Sequence, residues 1–231
     1  EGGGQVGDAG ELVGPGGKIA VRDTQTVMPG VIIHFGEVTQ GSVGLGDTVD
    51  AYVDAIRRED TARNHTATHL LHAALRQVLG APVRQAGSLV APDRLRFDFS
   101  HVEAMTDGEI ERVQLQVNEK IRENMTVTSQ ETTYRDAVAQ GALAFFGDRY
   151  GDQVRVVEVA NGDVFSLEVC GGTHVGRTGE LGAVYILGES SIGSGMRRIE
   201  AVSGRAAERM VWEGMERDSR LVGSLQTTVP E

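Results

Sequence analysis

Residues 61–79 constrain the fold more than any other segment: they form the best helix in the first half of the chain, stopped by Gly80 and Pro82. His65, His69 and His72 stand at i, i+4 and i+7 on one side of that helix, and Ala67, Leu70, Leu71, Ala74, Leu75 and Val78 take the other. A histidine satisfied inside a core would share the apolar stripe, so these three are expected to face solvent or a cleft. Side chains one turn apart can both reach one metal ion, whereas i and i+7, roughly 10 Å apart along the axis, cannot. Spacing therefore leaves His65/His69 and His69/His72 both open as a ligating pair. A zinc peptidase carries its Glu base directly after the first histidine, where this chain has Thr66, so that reading is poor.

Around this helix the chain is punctuated by glycine, 31 of 231 residues and nearly twice the usual ~7%. The opening to about Gly17 contains a formal GxGxxG at Gly2, Gly4 and Gly7, but no strand precedes it and no helix follows, so a dinucleotide site is not expected. Three β-like runs come next, Lys18 to Asp23, Val31 to Val38 and Thr48 to Ile56, broken by Pro29-Gly30 and by the Gly41 to Asp47 cluster. Residues 1–56 thus read as a small β-barrel-like unit whose first strand lies upstream.

Beyond the helix, strands are expected at Val83 to Val90, Arg94 to Phe99, Thr126 to Thr132, Val154 to Val159, Val164 to Cys170, Ala183 to Leu187 and Met196 to Val202. Thr106-Asp107-Gly108-Glu109 is a capping box opening a second helix to about Glu123, and Asn161-Gly162 is a type I′ hairpin signal. An amphipathic helix runs from Arg205 to about Leu225, before Pro230-Glu231. The expected class is α+β: the barrel-like unit, then a mostly antiparallel sheet with helices on one face over 57–204, then a terminal helix over 205–231.

Cys170 is the single cysteine, which excludes an internal disulfide and a Cys-only zinc site and fits a reducing compartment. In Cys170-Gly171-Gly172-Thr173-His174 the two glycines allow a tight path that folds thiol and imidazole toward one point. Taken alone, Cys170 also reads as a small buried hydrophobe, or as a nucleophile with His174 as base, although no local group orients such a dyad. Thiolate and imidazole together suit zinc, and this pair plus a helix pair makes a tetrahedral His-His-Cys-His set. With 33 acidic against 22 basic residues, a net charge of −11 argues against a broadly basic nucleic-acid binder. No apolar run approaches the ~18 residues of a membrane span and no secretory leader opens the chain, so a soluble cytoplasmic protein is expected.

With both motifs in view, the chain resembles the editing region of alanyl-tRNA synthetases and the free-standing AlaX trans-editing proteins. The Gly-rich opening through Asp8, Arg63 to His72, Gln85 to Val90, Arg96 to Phe99, Cys170 to His174 and Gly195 to Val202 carry the resemblance, which runs nearly end to end. It implies His65, His69, Cys170 and His174 as zinc ligands and leaves His72 as a helix-face residue near the site. It further implies Gln85 in the amino-acid pocket, Thr68 beside the metal, Arg197 at the tRNA end and Gln5 shaping substrate access. The implied reaction is hydrolysis of the ester in seryl- or glycyl-tRNA for alanine, with that tRNA's acceptor end as partner and neither DNA nor membrane involved. Two alternatives stand beside it, a structural-zinc module that docks the acceptor end and a free-standing editor. An unrelated zinc hydrolase of small esters is disfavoured because no Glu base accompanies the histidines. The lack of an initiator methionine and the final helix lead us to expect a monomeric piece of a longer ligase. Arg63, Arg84, Arg197 and Arg198 are the basic residues near the site motifs.

Overall fold

The computed structural model describes residues 4–28, 31–144 and 151–225. Residues 1–3, the Pro29-Gly30 break and Pro230-Glu231 lie outside them. The chain begins with an antiparallel sheet of β1 (Gly10–Val13), β2 (Gly17–Met28), β3 (Val31–Gly41) and β4 (Asp50–Val53), ordered β3-β2-β1-β4. The sheet is open: among the described residues β3 and β4 are edges and no pairing joins them into a barrel. Among the described residues its first strand is Gly10–Val13, within the Gly-rich opening. Little of the sheet is covered; β3 is exposed throughout, Ile32, Ile33, Phe35 and Val38 included.

Asp54 ends β4 early because its carboxylate accepts the Arg57 N–H (3.0 Å) and caps α1 (Ala55–Leu79), which therefore starts six residues before Thr61. Two backbone bonds, Val6 N–H to Val90 O and Val90 N–H to Gly4 O (both 2.9 Å), lay residues 4–6 alongside β5 (Gln85–Val90).

The rest of the chain forms two sheets where one was expected. The first has the order β10-β11-β6-β5, with β6 (Leu95–Ser100), β10 (Val184–Gly193) and β11 (Met196–Ser203). The second joins β7 (Thr126–Thr133), β8 (Gln153–Asn161) and β9 (Asp163–Val169). All named pairings are antiparallel. The β8-β9 turn is not type I′, which needs positive φ at two successive residues. Gly162 has φ +84°, but Asn161 is not in that region, and Asn161 pairs directly with Asp163.

α1 packs against α2 (Asp107–Arg122), against β5, β6 and β11 of one sheet, and against β9 of the other. Leu70, Leu71 and Leu75 of α1 meet Phe97 and Phe99 of β6, Val113 and Val117 of α2, Ile199 of β11 and Leu181 in one buried core. Phe97 and Phe99 are there because strand alternation puts Leu95, Phe97 and Phe99 on one face; Asp98, between them, pairs with Arg198 of β11 at 2.7 and 2.9 Å. Asn64 ties α1 to this sheet, donating to Ala91 O (2.8 Å) and accepting from Ser203 Oγ (2.7 Å). A short helix α3 (Tyr134–Ala139), capped by Thr133, was not foreseen; α4 (Gly204–Leu225) closes the described chain against β11 and α1. No helix among the described residues is long and apolar enough to cross a membrane.

Candidate metal centre

α1 is buried from Thr61 to Leu75 except at Arg63, so its histidines do not face solvent. The side opposite the leucines is covered by residues 4–6, by β9 and by the turn that follows it. His65 and His69 are 2% and 6% exposed and stack at 5.6 Å between ring centres. Cys170 and His174 come from the turn after β9. The Cys170 N–H donates to Arg155 O (2.9 Å), and Arg155 Nε donates back to Cys170 O (3.1 Å). Beyond His174, the Val175 N–H donates to Thr66 Oγ1 (3.2 Å), and buried Thr178 donates to Lys120 O (2.7 Å) and accepts from the Met125 N–H (2.8 Å).

Between these anchors Gly172 is a steric necessity. A Cβ there would lie 1.9 Å from His65 Cε1 and 2.2 Å from its Nδ1. With that gap closed, one donor atom from each of His65, His69, Cys170 and His174 lies within 4.8 Å of the others. Ideal tetrahedral zinc spaces such donors roughly 3.3–3.8 Å apart, so side-chain shifts of about an ångström close the set on an ion. Two observations fit a metal: the Nε2 atoms of His69 and His174 are buried with no hydrogen-bond partner, and His65 Nε2 lies 3.3 Å from Cys170 Sγ.

Each imidazole is steadied at its other nitrogen. His65 Nδ1 is 2.7 Å from Gln5 Oε1, and His174 Nδ1 is 3.2 Å from Thr66 Oγ1. His69 Nδ1 lies 3.1 Å from Glu168 Oε2, near enough to pair though out of line for a hydrogen bond. Glu168 also takes His72 Nδ1 at 3.0 Å and the Ser166 hydroxyl at 3.0 Å on its other oxygen.

The electrostatics favour a cation. Burial opposes the Cys170 thiolate, yet contacts with His174, His65 and His69 bring its pKa down to about 2. Burial likewise opposes the Glu168 carboxylate, but His69 and His72 beside it hold its pKa well below the usual range. Burial lowers His174 to about 3, leaving a neutral imidazole with a lone pair to give. At His69 burial is outweighed by Glu168 and by the Cys170 sulfur, and the pKa rises to about 10. Two buried anions thus draw positive charge to one point, and a divalent ion supplies it there with no proton.

The four residues expected as ligands are brought together, and Gln5 joins them. Thr68 is buried, but its hydroxyl donates to Asn64 O (2.9 Å) within its own helix; Thr66 is the threonine that reaches His174. Gln85 is half-buried at the start of β5, opposite Phe99. Arg197 forms a two-pronged pair with Glu189, which it meets at 2.6 Å through Nη2. Arg63 and Arg198 are paired with Asp60 and Asp98, and Arg84 is exposed. His72 is fully buried, its ring 5.2 Å from Phe97. Sequence reasoning missed Glu168. Its one signal was an acid two residues before Cys170, set between the apolar Leu167 and Val169 at the end of β9.

Comparisons with known proteins point to tRNA synthetases. Residues 154–200, which include the Cys170–His174 turn, match the family described as threonyl and alanyl tRNA synthetase second additional domain. Residues 1–57 match class II (A) tRNA synthetases. Over 98% of its length the chain is 50% identical to the alanine–tRNA ligase of Chloroflexus aurantiacus, of which it covers 26%. It is 50% identical over 91% of its length to that of Roseiflexus sp., covering 25%, and 49% identical over 99% to one from Dehalococcoides mccartyi, covering 26%. The chain spans about a quarter of the length of these curated relatives and, over that length, is similar throughout to alanine–tRNA ligases.

Proposed function

We propose that this chain is the editing part of an alanine–tRNA ligase, hydrolysing the ester of serine or glycine wrongly attached to the alanine tRNA. The observation that carries this reading is the His65-His69-Cys170-His174 set, three of its members buried and the fourth, half-buried His174, on the wall of an open cleft. That cleft holds about 610 Å³ and is lined by Arg58, Ser129, Arg155, Thr173 and His174, among others. A synthetic pocket that admits alanine cannot strongly reject smaller glycine or near-isosteric serine, so a second, hydrolytic site improves accuracy.

In this reading His65, His69, Cys170 and His174 hold zinc, which supplies a positive centre able to polarise a carbonyl or acidify water. Four protein ligands fill a tetrahedral shell, so we favour a role in orienting substrate and water over direct generation of hydroxide. Gln85 serves the amino-acid pocket, Thr68 stands beside the metal and Arg197 meets the tRNA end. Residues 57–204 carry the chemistry, and 1–56 form an accessory unit. The setting is the cytoplasm, the piece is monomeric, and with few unpaired arginines its grip on tRNA is weak and salt-sensitive.

The filled shell also favours a second reading, in which zinc is structural and the chain only docks the acceptor end. Deacylation of seryl- against alanyl-tRNA for alanine separates the two. The first reading expects selective hydrolysis of the seryl ester, lost in Cys170→Ala together with zinc. Undiminished hydrolysis by zinc-free Cys170→Ala would rule out a catalytic metal, and absence of hydrolysis by the zinc-loaded protein favours docking.

A further inference from the structure

Gln5 lies in the Gly-rich opening, far in sequence from every proposed ligand, yet it is 7% exposed and sits against two of the elements that carry them. Its backbone is fixed by the bonds of its neighbours Gly4 and Val6 to Val90, and it enters this path through Gly4, whose φ of +78° and close approach to Ser88 O exclude a side chain. Its side-chain oxygen then meets three groups: His65 Nδ1 at 2.7 Å, the Thr173 N–H at 2.8 Å and the Thr173 hydroxyl at 3.1 Å.

The donor inventory orients this cluster. A backbone N–H can only donate, so the Gln5 atom facing Thr173 is the carbonyl oxygen and not the amide nitrogen. A carbonyl oxygen can only accept, so His65 must carry its proton on Nδ1. The lone pair of His65 is then on Nε2, the atom 3.3 Å from Cys170 Sγ. Thr173 is also the residue directly before His174, so one amide oxygen links the helix ligand to the turn ligand.

We infer that Gln5 is a positioning residue for the metal centre: it selects the His65 tautomer that offers Nε2 to the ion and locks the Thr173-His174 backbone beside it. This rests on the metal reading above and departs from a substrate-access role for Gln5. The opening segment is then part of the metal site although it contributes no ligand.

The test uses the whole chain with zinc and cobalt(II) as probes. Gln5→Ala should bind zinc about 10–100-fold more weakly, as loss of a ligand's hydrogen-bond partner does elsewhere. Its cobalt complex should show displaced visible bands. Gln5→Glu keeps the acceptor and should restore affinity to within a few-fold. Zinc affinity and cobalt spectrum unchanged in Gln5→Ala, with only turnover of aminoacyl-tRNA altered, would overturn the inference in favour of a substrate contact. Should Gln5→Ala not fold, nitrogen NMR of the zinc-loaded wild type decides: zinc on His65 Nε2 with a proton on Nδ1 supports the inference, and zinc on Nδ1 sinks it. A wild type that binds neither metal fails at the earlier step, the metal centre itself, and takes this inference with it.

Discussion

His65 and His69 stand on a 25-residue helix enclosed along most of its length, whereas Cys170 and His174 hang from a five-residue turn with no regular structure. On the helix, the spacing of the two ligands follows from the 3.6-residue period, and packing of the leucine face decides where the pair points. In the turn, spacing follows from what is missing, a side chain at Gly172, and from hydrogen bonds to Arg155 and Thr66 at its two ends. One half of the site is held by hydrophobic burial and the other by steric permission plus polar anchors. Damage to the first should cost stability before it costs metal, and damage to the second the reverse.

Gly172→Ala is the strongest way to break that contrast. The new methyl group would occupy the space of the His65 ring, so the turn must move away from the helix. Zinc affinity should fall by about 100-fold or more, beyond the effect of losing one outer hydrogen bond, while far-UV circular dichroism stays close to wild type. Metal content by atomic emission reads the result; a full zinc complement in Gly172→Ala would show that the turn is softer than its geometry implies.

Leu71→Ala attacks the other half. Leu71 is fully buried in the main core, and truncation should cost about 2–5 kcal/mol of unfolding free energy in a urea titration. Folded Leu71→Ala should still bind zinc within a few-fold of wild type. A large loss of affinity at small cost in stability would reverse the assignment of roles.

A gentler probe loosens α2, which packs on α1. Thr106 accepts the Glu109 N–H at 3.3 Å, and the Glu109 carboxylate accepts the Thr106 N–H at 2.8 Å. Thr106→Ala should cost roughly 1 kcal/mol and leave zinc binding untouched. The Thr106 backbone and hydroxyl bonds also hold the pKa of Glu109 below its ordinary value. A depressed carboxylate stabilises the fold above its unfolded pKa and loses that contribution as pH falls through the lower native one. Acid titrations of stability should therefore show a smaller loss in Thr106→Ala than in wild type, and identical acid limbs would refute the coupling.

The same contrast explains what could be read from residues alone. Each ligand pair is local, four positions apart in sequence, so both were visible as spacing. Ligand chemistry suggests that the two pairs join in one set, but the choice of His69's partner rests on family resemblance, because no periodicity relates residue 65 to residue 170. The helical wheel separates the histidines from the leucines and leaves solvent or a cleft open as what they face; it does not show that β9 and the opening segment cover that side. Glu168, Thr66 and the Gln5 bridge act across long sequence separations and left almost no local trace. Strand alternation located β6 and its phenylalanines, yet it could not divide the later strands between two sheets. The Asn161-Gly162 dipeptide marked the right turn and the wrong geometry, since Gly162 alone makes the bend. Barrel closure was not legible, because closure depends on which edges meet.

His65 and Cys170 are 105 residues apart along the chain and 3.3 Å apart in space. An ion bound between them is therefore a cross-link as well as a ligand-bearing centre. Closing a loop of that length removes conformational freedom from the unfolded chain worth on the order of 4–5 kcal/mol by the chain-entropy argument used for disulfides. With a single cysteine in the chain there is no disulfide to make here, and in the proposed zinc centre the metal takes over that role: its removal should lower the resistance of the core to unfolding.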